Sequence, residues 1–244
     1  MPGVTTGRPD PAATMPCMSD LPTFDELMAM RAGLRQLPGW SVRAQIHGFD
    51  RSLRVFAGNA DELTRFLRES QEPAAVFRLW ADDNREAFER FLDEVDRLLH
   101  NFVAAAMSLR DHVRPLRREL LPEDEADNLA RECQARIDED FTNAPLAHFV
   151  LGLRNVMLHD RIPIATGQLS GGYGKPDESR VVLHRSDLLK PQKWSRPAKR
   201  YIDAAGDNIG VGDVVTDYRA VVDGFHAWFR AALITRHPFG PGNP

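Results

Sequence analysis

Cysteine is nearly absent from this chain: Cys17 and Cys133 are the two among 244 residues. Two thiols so far apart exclude a disulfide framework and a cysteine-rich zinc site. Lysine is almost as rare, with Lys175, Lys190, Lys193 and Lys199 set against 27 arginines. No apolar run approaches the roughly twenty residues that a membrane-spanning helix needs, and no membrane partner is expected. The N-terminus lacks the basic-then-apolar signature of a secretory leader, so a cytoplasmic location is expected. There is no basic excess either: the formal net charge is −4, whereas nucleic-acid binders more often carry a strong positive balance.

What is present is ordinary for a globular protein, 43% hydrophobic and 27% charged, with enough chain for one large domain or two small ones. Residues 1–20 are rich in Pro, Thr, Gly and Ala and lack periodicity, so they read as a disordered tail, with Met15 and Met18 as alternative starts to Met1. The Pro-Gly stretch of 238–244 reads the same way. Between them, residues 21–80 suggest a small α+β segment packed on a bundle. Phe24, Leu27, Met28 and Leu34 predict a short helix closed by Pro38-Gly39. Trp40, Val42, Ala44 and Ile46 alternate as in a strand, Leu53–Phe56 suggests its return, and Asn59 caps a helix facing inward through Leu63, Phe66 and Leu67.

From Asp82 to about Arg114 runs the longest helical pattern. Phe88, Val95, Phe102 and Leu109 recur at heptad spacing, and Pro115 is expected to end the helix. A second helix opens at Glu123-Asp124-Glu125 and carries Leu129, Cys133 and Ile137 on a thin apolar stripe. Val214, Val215, Tyr218, Val222, Phe225, Phe229 and Leu233 mark a closing helix with a strong core-facing stripe. Arg219/His226 and Arg230/His237, which happen to share an arginine-to-histidine spacing, are read as incidental.

The most informative stretch is Asn143–Pro163. Asn143 can cap a helix, Pro145 suits its first turn, and Pro163 stands just past its end. Eight apolar residues from Leu146 to Leu158 cover most of the circumference, so a nearly buried helix is expected. At about 100° per residue, His148, Gly152, Asn155 and His159 align on one narrow stripe. Two imidazoles and a carboxamide beside an apolar core need partners or water, which makes the stripe the candidate site. Arg154 lies about 140° from His159 on an ideal helix, toward Val150, Met157 and Leu158.

Past Pro163, the stretch to Leu169, the glycines at 171, 172 and 174, and Val181–Leu183 read as a β-hairpin spanning about 162–185. Its tip is a possible flap; it lacks the Gly-Lys-Ser/Thr ending of a phosphate-binding loop. Residues 175–200 are locally basic and interleaved with aromatics. Lys175, Arg180, Arg185, Lys193 and Lys199, with Tyr173 and His148, are therefore candidates for holding an RNA backbone and stacking its bases. The alternative is a solvated hairpin and helix start that balances the acidic helix at 123–140. No ligand cluster for a metal and no cofactor motif is present.

The residues Arg154-Asn155-Val156-Met157-Leu158-His159 resemble the R-x4-6-H motif of the HEPN superfamily, in its form with a polar residue directly after the arginine. The resemblance covers about twenty residues. It implies a mainly α fold, an antiparallel helical bundle at 81–237, to which the pattern of the residues adds the small β-hairpin insertion after the motif helix and the small α+β part before it. It also implies a homodimer that pairs two motifs into a metal-independent endoribonuclease, in the setting of a toxin, a phage-defence effector or an RNA-processing factor. Arg154, Asn155 and His159 would be the catalytic residues. The alternative is a non-catalytic dimer of the same fold that binds a regulatory protein partner or a small ligand.

Overall fold

The computed structural model describes residues 21–36, 39–81, 84–121, 127–159, 165–172, 175–190 and 194–237, without side chains for 170–178. The expected terminal tails at 1–20 and 238–244 lie outside the described residues. The chain divides into two units, residues 1–41 and 42–244. The first holds helix α1 (Phe24–Arg35), opened by a capping box. The Thr23 hydroxyl accepts the Glu26 N–H at 3.3 Å, and the Glu26 carboxylate accepts the Thr23 N–H at 2.8 Å.

Helix α2 runs unbroken from Trp40 to Glu69. This corrects the expected strand pair: 40–56 is helical, and no α+β segment forms there. The alternation of Trp40, Val42, Ala44 and Ile46 is a fragment of a longer helical pattern. Ile46, Phe49, Phe56, Ala60, Leu63 and Leu67 are buried at three-, four- and seven-residue intervals. Gly48 and Asp50, between the two expected strands, are mid-helix. Burial along a thirty-residue stripe outweighs the roughly 1 kcal/mol that a helical glycine costs.

After the short helix α3 (Pro73–Leu79) comes α4, which spans Arg85–Leu120 with Pro115 inside it. The proline does not end the helix as expected. Val113, Leu116 and Leu120 on both sides of it are buried, and their burial offsets the lost backbone hydrogen bond. Asp127 opens α5 (Asn128–Ile137), accepting the N–H groups of Leu129 and Ala130. The acidic start expected at 123–125 lies outside the described residues. A π-helical turn, Asp138–Thr142, joins α5 to α6 (Pro145–His159), and Asn143 closes that turn by donating its N–H to Asp138 O at 2.8 Å.

Strands β1 (Ala165–Gly172) and β2 (Lys175–His184) form the expected hairpin, pairing Ala165 with Leu183 and Leu169 with Ser179. A third strand, β3 (Asn208–Gly210), adds to the other edge of β2 through Val182↔Gly210 and His184↔Asn208, giving the order β1-β2-β3. Between them stand α7 (Arg185–Leu188) and α8 (Arg196–Ala205), the latter ended by Gly206 at φ +80°. Helix α9 (Val211–Arg236) closes the chain.

The second unit is thus mainly helical with one small antiparallel sheet, and one hydrophobic cluster runs through α2, α4, α6, β2 and α9. Phe56 of α2, Phe102 of α4 and Tyr218 of α9 meet with ring centroids 5.5–6.2 Å apart. None of the described helices is long and apolar enough to cross a membrane.

Candidate functional site

Helix α6 changes character along its length. Phe149, Val150, Leu153 and Val156 are buried in the core. In its first half the polar stripe is consumed by neighbours. His148 Nε2–H donates to the Thr142 carbonyl at 2.7 Å, which leaves Nδ1 to accept from the Ser195 hydroxyl at 3.2 Å. Ser195 also caps α8 by accepting the Ala198 N–H. Gly152 lies directly under the indole of Trp194, where a Cβ would overlap the ring. That indole stacks on Phe149 at 5.5 Å and donates Nε1–H to Leu188 O at 2.7 Å. Phe149 stacks in turn on Tyr201 at 4.8 Å. Sequence periodicity placed His148 and Gly152 on one stripe; the chain itself covers that part of it.

The last turn and a half is different. Asn155 and His159 are exposed, Arg154 is half-exposed, and Leu158 keeps 51% of its surface. Arg154 lines a groove of about 200 Å³ against α4, shared with His100, Met107, Asp111, Met157 and Leu158. Among the described residues it has no ion-pair partner. Several other arginines of the second unit hold carboxylates. Arg110 and Arg114 reach Asp111 at 3.0 and 3.7 Å, Arg219 reaches Asp61 and Asp223, and Arg230 reaches Asp50. In a single chain Arg154 and His159 thus face different sides of α6. His148 stands eleven residues before His159, roughly 16 Å along the axis, and shares no site with it.

Three of the described cations in the locally basic run are paired with carboxylates. Arg180 pairs with Asp213, Arg185 with Asp203, and Lys190 with Asp187, each at 2.7 Å. These acids come from α7, α8 and α9 rather than from the acidic stretch at 123–140. Lys199 is exposed on α8. Tyr173, Lys193 and the side chain of Lys175 lie outside the described residues.

A cavity of about 260 Å³ opens on the other side of α6, between α4, the π turn and α9. Its polar lining is Arg110, Arg114 and Arg117 from α4, Thr142 from the π turn, His148 from α6, and Tyr218 and His226 from α9, over an apolar wall that includes Met107, Phe141, Leu151 and Phe225. His226 is 4% exposed, wedged edge-on against Phe49 and Phe225, and its Nδ1 has no hydrogen-bond partner. Burial lowers its pKa to about 4, so the ring is neutral at physiological pH. Burial likewise pushes Tyr218 up to about 12. On α4, Asp96 faces the start of β1. Burial, with Asp93 nearby, raises its pKa to about 6 against the lowering hydrogen bond from the Ala165 backbone, and its Oδ1 is unpartnered.

The spacing from Arg219 to His226 does not mark this site. The usable signal lay on its own helix, four residues after Val222 on the buried stripe. Among the described residues no three His, Cys, Asp or Glu side chains converge as a metal site requires. Comparison with models of known families, with curated proteins and with solved structures found no match to this chain.

Proposed function

We propose that this protein is a HEPN-like, metal-independent endoribonuclease whose site is completed in a homodimer by the exposed end of α6. The observation that carries the reading is the state of Arg154, Asn155 and His159. All three reach solvent at the end of a core helix, and none has a hydrogen-bond or ion-pair partner among the described residues, in a protein where Arg110, Arg219 and Arg230 each hold a carboxylate. Exposed Leu158 beside them supplies an apolar contact for a second copy, and a two-fold axis there sets two motifs face to face.

In the proposed reaction the RNA 2′-oxygen attacks the adjacent phosphorus. The bond from phosphorus to the 5′-oxygen breaks, leaving a 2′,3′-cyclic phosphate and a 5′-hydroxyl. His159 of one copy takes the 2′-OH proton, and the same histidine of the second copy protonates the leaving oxygen. Arg154 holds the phosphate and offsets the negative charge that grows on it. Asn155, one helical turn before His159, orients the imidazole. Because Arg154 and His159 diverge within one chain, each phosphate meets groups from both copies.

The test is cleavage of a mixed RNA substrate in excess EDTA by wild type, His159→Ala and Arg154→Ala, each checked for folding and for dimer state by analytical ultracentrifugation. Cleavage with cyclic-phosphate ends that survives chelation and disappears in both variants is expected. A folded wild-type dimer without cleavage rejects the enzyme and leaves the alternative, a helical dimer that binds a protein partner or small ligand.

A further inference from the structure

Arg180, Arg185 and Lys190 of the basic run each hold a carboxylate. The outer face of the first half of α2 differs. His47, Arg51 and Arg54 follow one another at four- and three-residue spacing and share one side of the helix. All three are exposed, and none has a hydrogen-bond or ion-pair partner among the described residues. Asp50 is the one acid between Trp40 and Ala60, and it turns to Arg230 of α9 at 3.1 Å. The cations of this face are left without an acid of their own stretch.

Beside Arg51 a groove of about 340 Å³ runs between α2 and α4, lined among others by Ser52 and Val55 on one bank and Ser108 and His112 on the other. No carboxylate is among its lining residues. Ser52 Oγ and His112 Nδ1 are 2.8 Å apart, and the imidazole Nε2 has no partner among the described residues. This groove meets the one that holds Arg154, because Ser108 lines both. The ridge of α4 between them carries Ala104 and Ser108, both small and exposed, so a strand crosses it without meeting a bulky side chain. Asp111 stands in the Arg154 groove, where Arg110 holds it at 3.0 Å and Arg114 lies at 3.7 Å. Packed helices lie about 8–10 Å apart, so α2 and α6, on either side of α4, stand roughly 16–20 Å apart. A short oligonucleotide covers that span.

We propose that a single-stranded RNA cut at Arg154 and His159 continues over Ser108 into the α2–α4 groove, where Arg51, Arg54 and His112 hold the flanking phosphates. The starting point of this path rests on the ribonuclease reading; the charge of the α2 face does not. Charge complementarity selects the occupant. Exposed arginines along one bank of a narrow groove suit a flexible polyanion, and phosphate contacts hold it without regard to sequence. The Ser108 hydroxyl, at the crossing, has a proton to donate to a phosphate oxygen. A lipid surface would need apolar anchors, and Val55 is the one large apolar side chain that α2 exposes.

The test follows binding of a labelled RNA of about twelve nucleotides by fluorescence anisotropy. The RNA is 2′-O-methylated throughout, so the attacking oxygen is blocked and the strand stays whole. Wild type is compared with Arg51→Ala/Arg54→Ala and with Arg85→Ala/Arg90→Ala, a control that removes the same charge from two arginines held by Glu89 and Glu86. Folding is checked by circular dichroism; alanine suits a helix, and Arg51→Gln/Arg54→Gln makes the same test should alanine disturb α2. The groove variant is expected to bind about tenfold more weakly and to lower the slope of log K against log salt by about 1.4, the share of two phosphates on a single strand. The control is expected to change affinity by less than about threefold. Absence of salt-dependent binding in the wild type overturns the proposal. So does a groove variant that binds like the wild type, or an equal loss in the control. Unmodified RNA separates the two readings. Cleavage that depends on His159, with binding unmoved in the groove variant, overturns the path alone. The expected loss of binding, without cleavage by the wild type, upholds the groove as the RNA site and rejects the enzyme.

Discussion

Replacing His226 with phenylalanine tests the electrostatics of the core most directly. The site suits the exchange: the ring already sits edge-on to Phe49 at 4.9 Å and to Phe225 at 5.2 Å, and Phe229 stacks on Phe225. A phenyl group keeps the shape and removes the unpartnered nitrogen. Burial lowers the histidine from its ordinary 6.5 to about 4, so between those values the unfolded chain binds the proton and the folded one does not. Stability is therefore lost as pH falls through this window and unaffected by the group above it. A shift of this size corresponds to about 3 kcal/mol over the full window, and about 2 kcal/mol of it falls between about pH 7 and about pH 5. Urea unfolding followed by circular dichroism at both pH values gives the wild-type and His226→Phe stabilities, and their difference cancels every other titrating group, Asp96 included. The variant is expected to gain about 2 kcal/mol on the wild type as pH drops across that range. At neutral pH it is expected to be at least as stable, since a buried unsatisfied polar group is removed. Parallel pH profiles for the two proteins would refute the assignment of His226 as a neutral, desolvated imidazole.

Asp96 gives the opposite sign. Its raised pKa means that the folded chain holds the proton between about pH 4 and about pH 6, so stability falls as pH rises through that window. Asp96→Asn is expected to remove this fall and to exceed the wild type at neutral pH by about 1 kcal/mol, the full shift being discounted for partial exposure; denaturant titrations at the two ends of the window measure it. Gly152→Ala sets a methyl into the Trp194 ring and is expected to cost about 1–3 kcal/mol, with altered tryptophan fluorescence reporting the displaced indole. Phe149→Ala removes a fully buried ring between Trp194 and Tyr201 and is expected to cost about 3–5 kcal/mol in the same urea assay.

How much of this was legible beforehand depends on how far each pattern extends. The long stripes of α4 and α9 and the bounded apolar run of α6 are read from spacing alone, because burial repeats over many turns. The short alternation around Trp40–Ile46 suggests a strand only when taken apart from its continuation to Leu67, which carries the helical period of α2. Strand β3 was invisible: three residues with one buried side chain, Ile209, form only because the edge of β2 is there to pair with. Arg154, Asn155 and His159 stood out as residue types, and their exposure was not readable, since an apolar helix predicts burial along its whole length. The cover on Gly152 arrives from Trp194, forty-two residues away, and no local rule connects the two.

Pro115 has a kinetic consequence. With no N–H at that position, the carbonyl of Asp111 goes without its helical donor, and the cooperative ladder of α4 is interrupted once. The stretch before the break carries Leu98, Leu99, Phe102 and Leu109, deep in the core. The stretch after it carries Leu116 and Leu120, together with Arg117 at the cavity mouth. Amide exchange should accordingly divide α4 in two, with the earlier amides released only by global unfolding and the terminal turns by a smaller opening of their own. Since those turns form one wall of the cavity, the rate at which they open sets an upper limit on how fast anything enclosed there is exchanged with solvent.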